Sequence, residues 1–174
     1  MKPIEWPSGL VLESLAKRHD RKAFRSGETA VDGWLKTNAL QNQQKNLSAT
    51  KAITADGVRV VGYYTIGMTQ VDFGDLPESF VRKLRKRLLP AAVLDWLGVD
   101  ESWQKKGLGE RLLGSALLDC RQGSRVFPFV AVILDAISDA SRAFYRHFGF
   151  DEMPGHPYRL YLPTSQLEAM VEGG

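Results

Sequence analysis

Gln104-Lys105-Lys106-Gly107-Leu108-Gly109 joins a predicted strand to a predicted helix, and it is the most informative segment of this chain. A mostly apolar run over residues 91–99 precedes it, and apolar residues recur at helical spacing over residues 108–120. The glycines allow a sharp turn and leave main-chain amides uncovered at the helix N-terminus, where the helix dipole favours an anion. Together with the two lysines, this pattern predicts a phosphate or pyrophosphate site; a solvated surface loop is the alternative.

The spacing of this turn excludes two common nucleotide motifs. The order G-x-x-x-x-G-K-[ST] is missing, and no third glycine follows Gly109 to complete G-x-G-x-x-G. The pattern Gln-x-x-Gly-x-Gly instead resembles the loop with which GNAT-superfamily acyltransferases hold the pyrophosphate of acetyl-coenzyme A. A second segment, Phe144-Tyr145 followed after three residues by Gly149-Phe150, resembles the last motif of the same superfamily. The alternative for Tyr145 is a buried phenol bonded to the backbone.

Length and composition predict one soluble globular domain over residues 1–174. The single cysteine excludes an internal disulfide and a cysteine-rich zinc site, and the three histidines lack metal-ligand spacing. We therefore predict no metal cofactor. The sequence has no long apolar stretch and no signal-peptide pattern, which predicts a cytoplasmic protein that does not enter a membrane.

The order of predicted elements is β, α, β-hairpin, α, β, α, β, α, β, β. Runs at 9–15, 51–54, 58–71, 91–99 and 129–134 are the main strand candidates, and Asp56-Gly57 marks a tight turn. One helix is expected from about residue 28 to the glutamine-rich stretch at 41–44. This order predicts an α/β (α+β) layered sandwich with a mixed, mostly antiparallel sheet flanked by helices.

The resemblance extends over nearly the whole chain and narrows to one subgroup, the bacterial toxin acetyltransferases of type II toxin-antitoxin systems, which acetylate aminoacyl-tRNA. The matching segments are Phe24-Arg25-Ser26-Gly27, Val31-Asp32-Gly33-Trp34-Leu35, Gly62-Tyr63-Tyr64-Thr65, Leu76-Pro77 and Leu160-Tyr161-Leu162-Pro163. The subgroup often carries Gly-Arg-Leu-Ala-Val-Asp before the glycine turn, where this chain has Asp95-Trp96-Leu97-Gly98-Val99-Asp100. The resemblance implies a GNAT fold in which a central strand pair splays to admit the pantetheine arm.

The resemblance also implies the site residues. Tyr145 is the expected catalytic residue, as proton donor to the departing sulfur, and the Val99 amide is the expected oxyanion donor. The residues expected to bind acetyl-coenzyme A are Leu97, Gly98, Val99, Gln104, Lys105, Lys106, Gly107, Leu108, Gly109, Glu110, Ser138, Phe144 and Tyr145.

A basic run, Arg82-Lys83-Leu84-Arg85-Lys86-Arg87, places five cations in six positions of a predicted helix. Such a run is commonly a solvated helix face. Because the resemblance points to tRNA, we expect Arg82, Lys83, Arg85, Lys86 and Arg87 to bind RNA phosphates. A looser cluster of cations lies at Arg18, Arg21, Lys22 and Arg25.

These inferences predict an acetyl-coenzyme A-dependent N-acetyltransferase, a toxin that acetylates the α-amine of aminoacyl-tRNA and blocks translation. A ribbon-helix-helix antitoxin and a homodimer are partners that the resemblance implies. The alternatives are an N-acetyltransferase acting on a small amine or a protein amine, and a catalytically silent binding module. The sequence leaves open which aminoacyl-tRNA would be modified.

Overall fold

The structure, a computed structural model, describes residues 4–84 and 88–172. Seven strands are present in this part of the chain: β1 (Val11–Ser14), β2 (Ala49–Thr54), β3 (Val60–Asp72), β4 (Leu88–Val99), β5 (Ala131–Asp135), β6 (Asp151–Met153) and β7 (His156–Pro163). The helices are α1 (Thr29–Thr37), α2 (Ala39–Gln44), α3 (Glu78–Val81), α4 (Leu108–Ser124), α5 (Asp139–His147) and α6 (Thr164–Glu172), with 3-10 turns at Phe73–Asp75 and Glu101–Trp103.

The strands form one sheet in the order β1-β2-β3-β4-β5-β7-β6. The pairs β1–β2, β2–β3, β5–β7 and β6–β7 are antiparallel, and β4 pairs with β5 in parallel. This parallel ladder joins Ala91–Val93 to Ala131–Ile133, and β4 then continues to Val99. The predicted mixed, mostly antiparallel sheet with flanking helices is therefore confirmed.

The chain divides into two compact units. One comprises Lys2–Gly67 and Leu94–Leu118, and the other comprises Met68–Val93 and Asp119–Gly174 together with Met1. The single domain expected over residues 1–174 stays a prediction. The first unit has a core that includes Phe24, Val31 and Tyr63, and the second has a core that includes Val71, Ile133 and Tyr161.

The helix expected from residue 28 to residues 41–44 is two helices that meet at Asn38. The Thr37 hydroxyl donates to the Gly33 carbonyl (2.7 Å) and to the Asn38 side chain (2.5 Å). Threonine and asparagine side chains compete with the backbone for such hydrogen bonds, and this competition favours helix ends over helix interiors. The prediction of one helix was wrong at this position.

The basic helix predicted after Pro77 is also corrected. Helix α3 ends at Val81, which is buried, and Arg82 and Lys83 are exposed in the turn that follows it. In a helix, the cations of this run would lie three and four residues apart and repel each other. They also supply no apolar face, so nothing stabilises a helix beyond the buried Val81. Arg85, Lys86 and Arg87 lie outside the described residues.

Candidate functional site

The glycine turn, residues 104–110, has left-handed backbone at two positions, Lys105 (φ 59°) and Gly107 (φ 75°). Glycine adopts this conformation without steric cost, whereas a residue with a Cβ pays about 1–2 kcal/mol. Helix α4 begins immediately afterwards at Leu108. Left-handed residues in a turn are typical of backbone nests, in which successive main-chain amides can bind one anion.

The amides of this turn are free of internal partners. Within residues 4–84 and 88–172, no hydrogen bond is donated by the main-chain N–H groups of residues 105–110. The first α4 bond that involves the turn runs from the Arg111 amide to the Gly107 carbonyl (3.3 Å). Lys105 and Lys106 are exposed, and Gly107 and Gly109 are half-buried. Unpaired amides at the positive end of a 17-residue helix fit a pyrophosphate group.

The Gln104 side chain joins the turn to two neighbouring main-chain segments. Its Nε2 donates to the carbonyl of Ser26 (2.7 Å) and to the carbonyl of Val99 (2.9 Å). A glutamine amide has two N–H donors, and both are satisfied by these contacts. Gln104 therefore acts in this structure as a brace between the end of β4, the N-terminal segment and the turn.

Asp100 is a second brace, and the sequence analysis assigned it no role. The residue is only 3 % exposed, and its carboxylate accepts from the Arg25 amide (3.0 Å), the Ser102 amide (3.1 Å) and the Ser102 hydroxyl (2.6 Å). Burial would raise the pKa of Asp100, but the hydrogen bonds from Ser102 and Arg25 together outweigh it and hold the pKa below its ordinary value. The spacing Asp-x-Ser before a helix start was the available signal, because aspartate accepts the amide two residues on.

The two lysines of the turn differ in their contacts. The Lys106 ammonium lies 5.0 Å from the centre of the Trp103 ring and donates to the Ser102 carbonyl (3.3 Å). Cation–π attraction at an exposed site of this kind is worth about 0.5–1 kcal/mol. Lys105 has no ion pair within the described part of the chain, so its charge is available to a ligand.

At the end of β4, Gly98 is required by packing. A Cβ at this position would lie 2.5 Å from Val31 Cγ1, 3.2 Å from Tyr63 and 3.3 Å from Phe24. The neighbouring residues Leu97 and Val99 are half-buried. Trp96, which stands where the subgroup often has arginine, stacks on Trp34 with ring centres 5.6 Å apart. Aromatic packing on the N-terminal helices thus replaces a cation at this position.

Helix α5 carries the other predicted site residues. Ser138 caps it: its hydroxyl accepts from the Ser141 amide (3.1 Å), and its own amide donates to the Ser141 hydroxyl (3.0 Å). Phe144 is half-buried and makes edge contacts with Tyr145 and Phe148. The predicted contacts of Ser138 and Phe144 with acetyl-coenzyme A stay predictions.

The Tyr145 ring is buried, but its hydroxyl is not enclosed. The ring packs edge-on against Phe144 and Phe150, with ring centres 5.2 and 5.8 Å away. The hydroxyl makes no hydrogen bond within residues 4–84 and 88–172, and it is absent from the fully enclosed unpaired atoms there. The alternative of a buried phenol bonded to backbone is therefore not what the structure shows. Burial raises the pKa of Tyr145, so the phenol is neutral at pH 7 and can donate a hydrogen bond.

The remaining candidates for chemistry are structural. Cys120 lies buried on the apolar face of α4, and burial, with a smaller contribution from Asp119, raises its pKa to about 12. A thiol with this pKa is inert as a nucleophile at neutral pH. Among the described residues, no group of His, Cys, Asp and Glu side chains is arranged to hold a metal ion. No helix in that part of the chain is long and apolar enough to cross a membrane.

The structure brings the predicted residues together in two sets. Residues 97–99 and 104–110 lie in one unit, joined by the Gln104–Val99 contact. Ser138, Phe144 and Tyr145 lie on or next to helix α5 in the other unit. Neither the role of Asp100 nor the main-chain contacts of Gln104 were predicted from the sequence.

Comparison with known proteins gives consistent results. The family described as Acetyltransferase (GNAT) domain matches residues 52–152. A tRNA-acetylating toxin of Mycobacterium tuberculosis (strain ATCC 25618 / H37Rv) is 34% identical over 152 residues, covering 87% of this chain and 90% of the relative.

Solved structures share the same fold. A tyrosine-to-phenylalanine mutant of KacT superposes with a TM-score of 0.88 at 25% identity, over 94% of this chain and 99% of KacT. AtaT complexed with acetyl-methionyl-tRNAfMet superposes with a TM-score of 0.86 at 23% identity, over 93% of this chain and 99% of AtaT. At this level of identity the AtaT match carries information about the fold alone.

Proposed function

Since the chain belongs to the GNAT acetyltransferase family, we propose that it transfers the acetyl group of acetyl-coenzyme A to the α-amine of aminoacyl-tRNA. The observation that carries the proposal is the set of unpaired main-chain amides at residues 105–110, which fits a pyrophosphate. The similarity to a tRNA-acetylating toxin supports the acceptor. The product, an N-acetylated aminoacyl-tRNA, has no free amine for peptide-bond formation, so translation would stop.

The cofactor contacts follow from the site. The amides of residues 105–110 hold the pyrophosphate, and the lysine ammonium groups add charge. Leu108 and Glu110 contribute through their main-chain amides, because the Leu108 side chain is buried and the Glu110 carboxylate would repel phosphate. Leu97, Gly98 and Val99 line the pantetheine arm, with contributions from Ser138 and Phe144.

The chemistry needs few groups, and no metal ion is part of it. Acetyl-coenzyme A supplies an activated thioester. The α-amine, with an ordinary pKa of about 7.7–8.0, is partly unprotonated at neutral pH and attacks the carbonyl carbon. A C–N bond forms, the C–S bond breaks, nitrogen loses one proton and sulfur gains one. The Val99 amide stabilises the charge that develops on the carbonyl oxygen.

Tyr145 supplies the proton that the departing sulfur needs. Its neutral phenol has a free hydroxyl, and the proton released by the amine restores it through solvent. A raised pKa makes the phenol a weaker acid, but the burial that raises it also makes a departing thiolate a stronger base, so the two effects oppose each other.

Arg82 and Lys83 are proposed to bind phosphates of the tRNA, and Arg85, Lys86 and Arg87 are proposed to assist. A ribbon-helix-helix antitoxin, a homodimer and a cytoplasmic location complete the proposal. Replacing Arg82 and Lys83 by glutamine should weaken tRNA binding and flatten its salt dependence while acetyl-coenzyme A binding persists. Unchanged tRNA affinity would contradict this role.

The proposed function is tested with labelled acetyl-coenzyme A and total charged tRNA. Label should appear on tRNA, and mild alkali should release it as N-acetylated amino acid. Deacylated tRNA should take up none. Tyr145→Phe should slow the transfer by at least about 10²-fold, whereas Tyr158→Phe, the same change at an exposed tyrosine bonded to Asp139, should not. Label on a polyamine or peptide but none on tRNA would contradict the proposal.

A further inference from the structure

A basic cavity lies in the N-terminal part of the chain, and its lining includes none of the residues assigned to acetyl transfer. It has a volume of about 350 Å³. It is lined by Lys17, Arg18, His19, Asp20, Arg21, Lys22 and Lys36. None of these side chains is hydrophobic.

The cavity carries a local excess of positive charge. Five cations and one carboxylate line it, a balance of +4, whereas the whole chain has a net charge of +3. The rest of the chain therefore carries a net charge of −1. A local excess of positive charge creates a positive electrostatic potential that attracts a polyanion. A surface with evenly mixed charges would not create this potential.

The loop that presents these cations is held rigidly by His19, whose side chain is fully buried. The Ala16 amide donates to His19 Nδ1 (2.9 Å), so the proton of the neutral ring is on Nε2, which donates to Glu13 (3.0 Å). The next residue, Asp20, is bonded through its main chain to Val58 (2.7 Å) and Val60 (3.1 Å). Lys17, Arg18, Arg21 and Lys22 are thus placed on an anchored loop, and Lys36 lies on helix α1.

Most of these cations lack an internal counter-charge. Arg18 pairs with Glu13, but Lys17, Arg21, Lys22 and Lys36 form no ion pair within residues 4–84 and 88–172. Four unpaired cations around one cavity repel each other in the free protein. Binding of several phosphates would remove this repulsion and release counterions from the ligand.

The cavity lies close to the glycine turn in the same unit. Ser26, whose carbonyl accepts from Gln104, is four residues beyond Lys22, so their Cα atoms are at most about 14 Å apart. Because Gln104 of the turn contacts Ser26, Lys22 is tethered near the turn, and the cavity can bind the acceptor molecule while the turn binds the donor. Protein partners usually dock on apolar or aromatic anchors, and this lining offers none.

We propose that the basic cavity binds backbone phosphates of the aminoacyl-tRNA, as an RNA site additional to the basic run at residues 82–87; this rests on the proposed function. Phosphate contacts position an RNA without reading its sequence. The cavity would therefore contribute to affinity for every tRNA equally.

The test is the double variant Lys22→Gln/Lys36→Gln, with Lys45→Gln/Arg125→Gln as a control that removes the same charge at exposed residues outside the cavity. Binding of deacylated tRNA is measured from 50 to 200 mM salt. Two lost phosphate contacts should lower the slope of log affinity against log salt by about 1–2 and leave the control unchanged. In acetylation assays, KM for charged tRNA should rise about tenfold, with kcat and KM for acetyl-coenzyme A unchanged.

Three results would overturn the proposal: an unchanged salt slope, equal effects in the cavity and control variants, or a raised KM for acetyl-coenzyme A in place of tRNA. The last would assign the cavity to the phosphates of the acetyl donor. Failure of the proposed function looks different, because the wild-type protein would then place no label on charged tRNA. The deacylated-tRNA measurement would still decide whether the cavity binds RNA.

Discussion

The glycine turn and helix α5 are built in opposite ways. The turn offers main-chain amides, which are present whatever the side chain is. Its shape depends on two left-handed residues and on the hydrogen bonds of the Gln104 and Asp100 side chains. Helix α5 offers one side-chain hydroxyl, that of Tyr145, held by packed aromatic rings. We therefore expect changes of backbone conformation to impair the turn, and the loss of a single oxygen atom to impair the role of helix α5.

The largest expected effect comes from Tyr145→Phe. It removes one oxygen atom and leaves the ring packing intact, so folding and acetyl-coenzyme A binding should persist. We expect kcat to fall by about 10²–10⁴-fold, the usual range for loss of a positioned proton donor. Steady-state kinetics measure this, with KM for acetyl-coenzyme A as the internal control. A fall in affinity with unchanged kcat would assign Tyr145 to binding.

Gly107→Ala tests the backbone of the turn. Its φ of 75° is costly for alanine, and the added Cβ would lie 2.9 Å from Arg111 Nη1. This conformational cost is about 1–2 kcal/mol, and it is lost from donor binding when the amides leave their binding position. KM for acetyl-coenzyme A should therefore rise about 5–30-fold, with a smaller effect on kcat.

Gly123→Ala is the matched control for that variant. Gly123 lies in the same helix, α4, with open space around its position and no left-handed backbone. Alanine should be tolerated there or stabilise the helix by up to about 1 kcal/mol. Equal KM values for the two glycine variants would show that the turn does not bind the donor through its backbone.

Asp100→Asn tests the brace and has a defined pH dependence. The pKa of Asp100 is lowered, so its stabilising contribution is present above about pH 3.8 and is lost as the pH falls through its folded-state pKa. The variant should be less stable than the wild type by about 1 kcal/mol at pH 7, since a neutral acceptor replaces a charged one. Urea unfolding from pH 3 to 7 should show this difference shrinking below pH 4. A pH-independent difference would contradict the role of the charge.

The smallest effect is expected from the lysines of the turn. Lys105→Gly removes one cation and relieves left-handed strain, whereas Lys105→Ala removes only the cation. We expect KM for acetyl-coenzyme A to rise about 2–4-fold in the alanine variant and less in the glycine variant, because exposed charges are worth about 0.3–1 kcal/mol. Both effects should fade at high salt. If KM for acetyl-coenzyme A rose more in Lys105→Ala than in Gly107→Ala, the lysine charge would contribute more to donor binding than the backbone does, which contradicts the expected order.

The turn could be predicted because its physics is local. Glycines between an apolar strand and an apolar-faced helix require little more than the sequence of that segment, and helix α4 begins where the pattern predicts. The braces could not be predicted in the same way. Gln104 bonds to Ser26, 78 residues earlier, and no local pattern encodes such a contact.

The basic run shows the opposite failure. Its composition predicted a helix, but α3 ends at Val81, because burial fixes the helix end and charge does not extend it. Gly98 shows a third case. The resemblance assigns it to the cofactor, and that assignment stays a prediction. The structure adds a packing reason that the sequence did not indicate, because Val31, Tyr63 and Phe24 surround the position of a Cβ there. Long-range packing decided both outcomes.

The contact of Lys106 with the Trp103 ring gives the turn an optical reporter. Indole emission responds to a nearby positive charge, and a diphosphate at the turn would draw the ammonium away from the ring. Titration of the donor can therefore be followed by intrinsic fluorescence without a label. Trp6, Trp34 and Trp96 also emit, so the turn is reported by the part of the signal that Trp103→Phe removes, and that part separates occupancy from turnover.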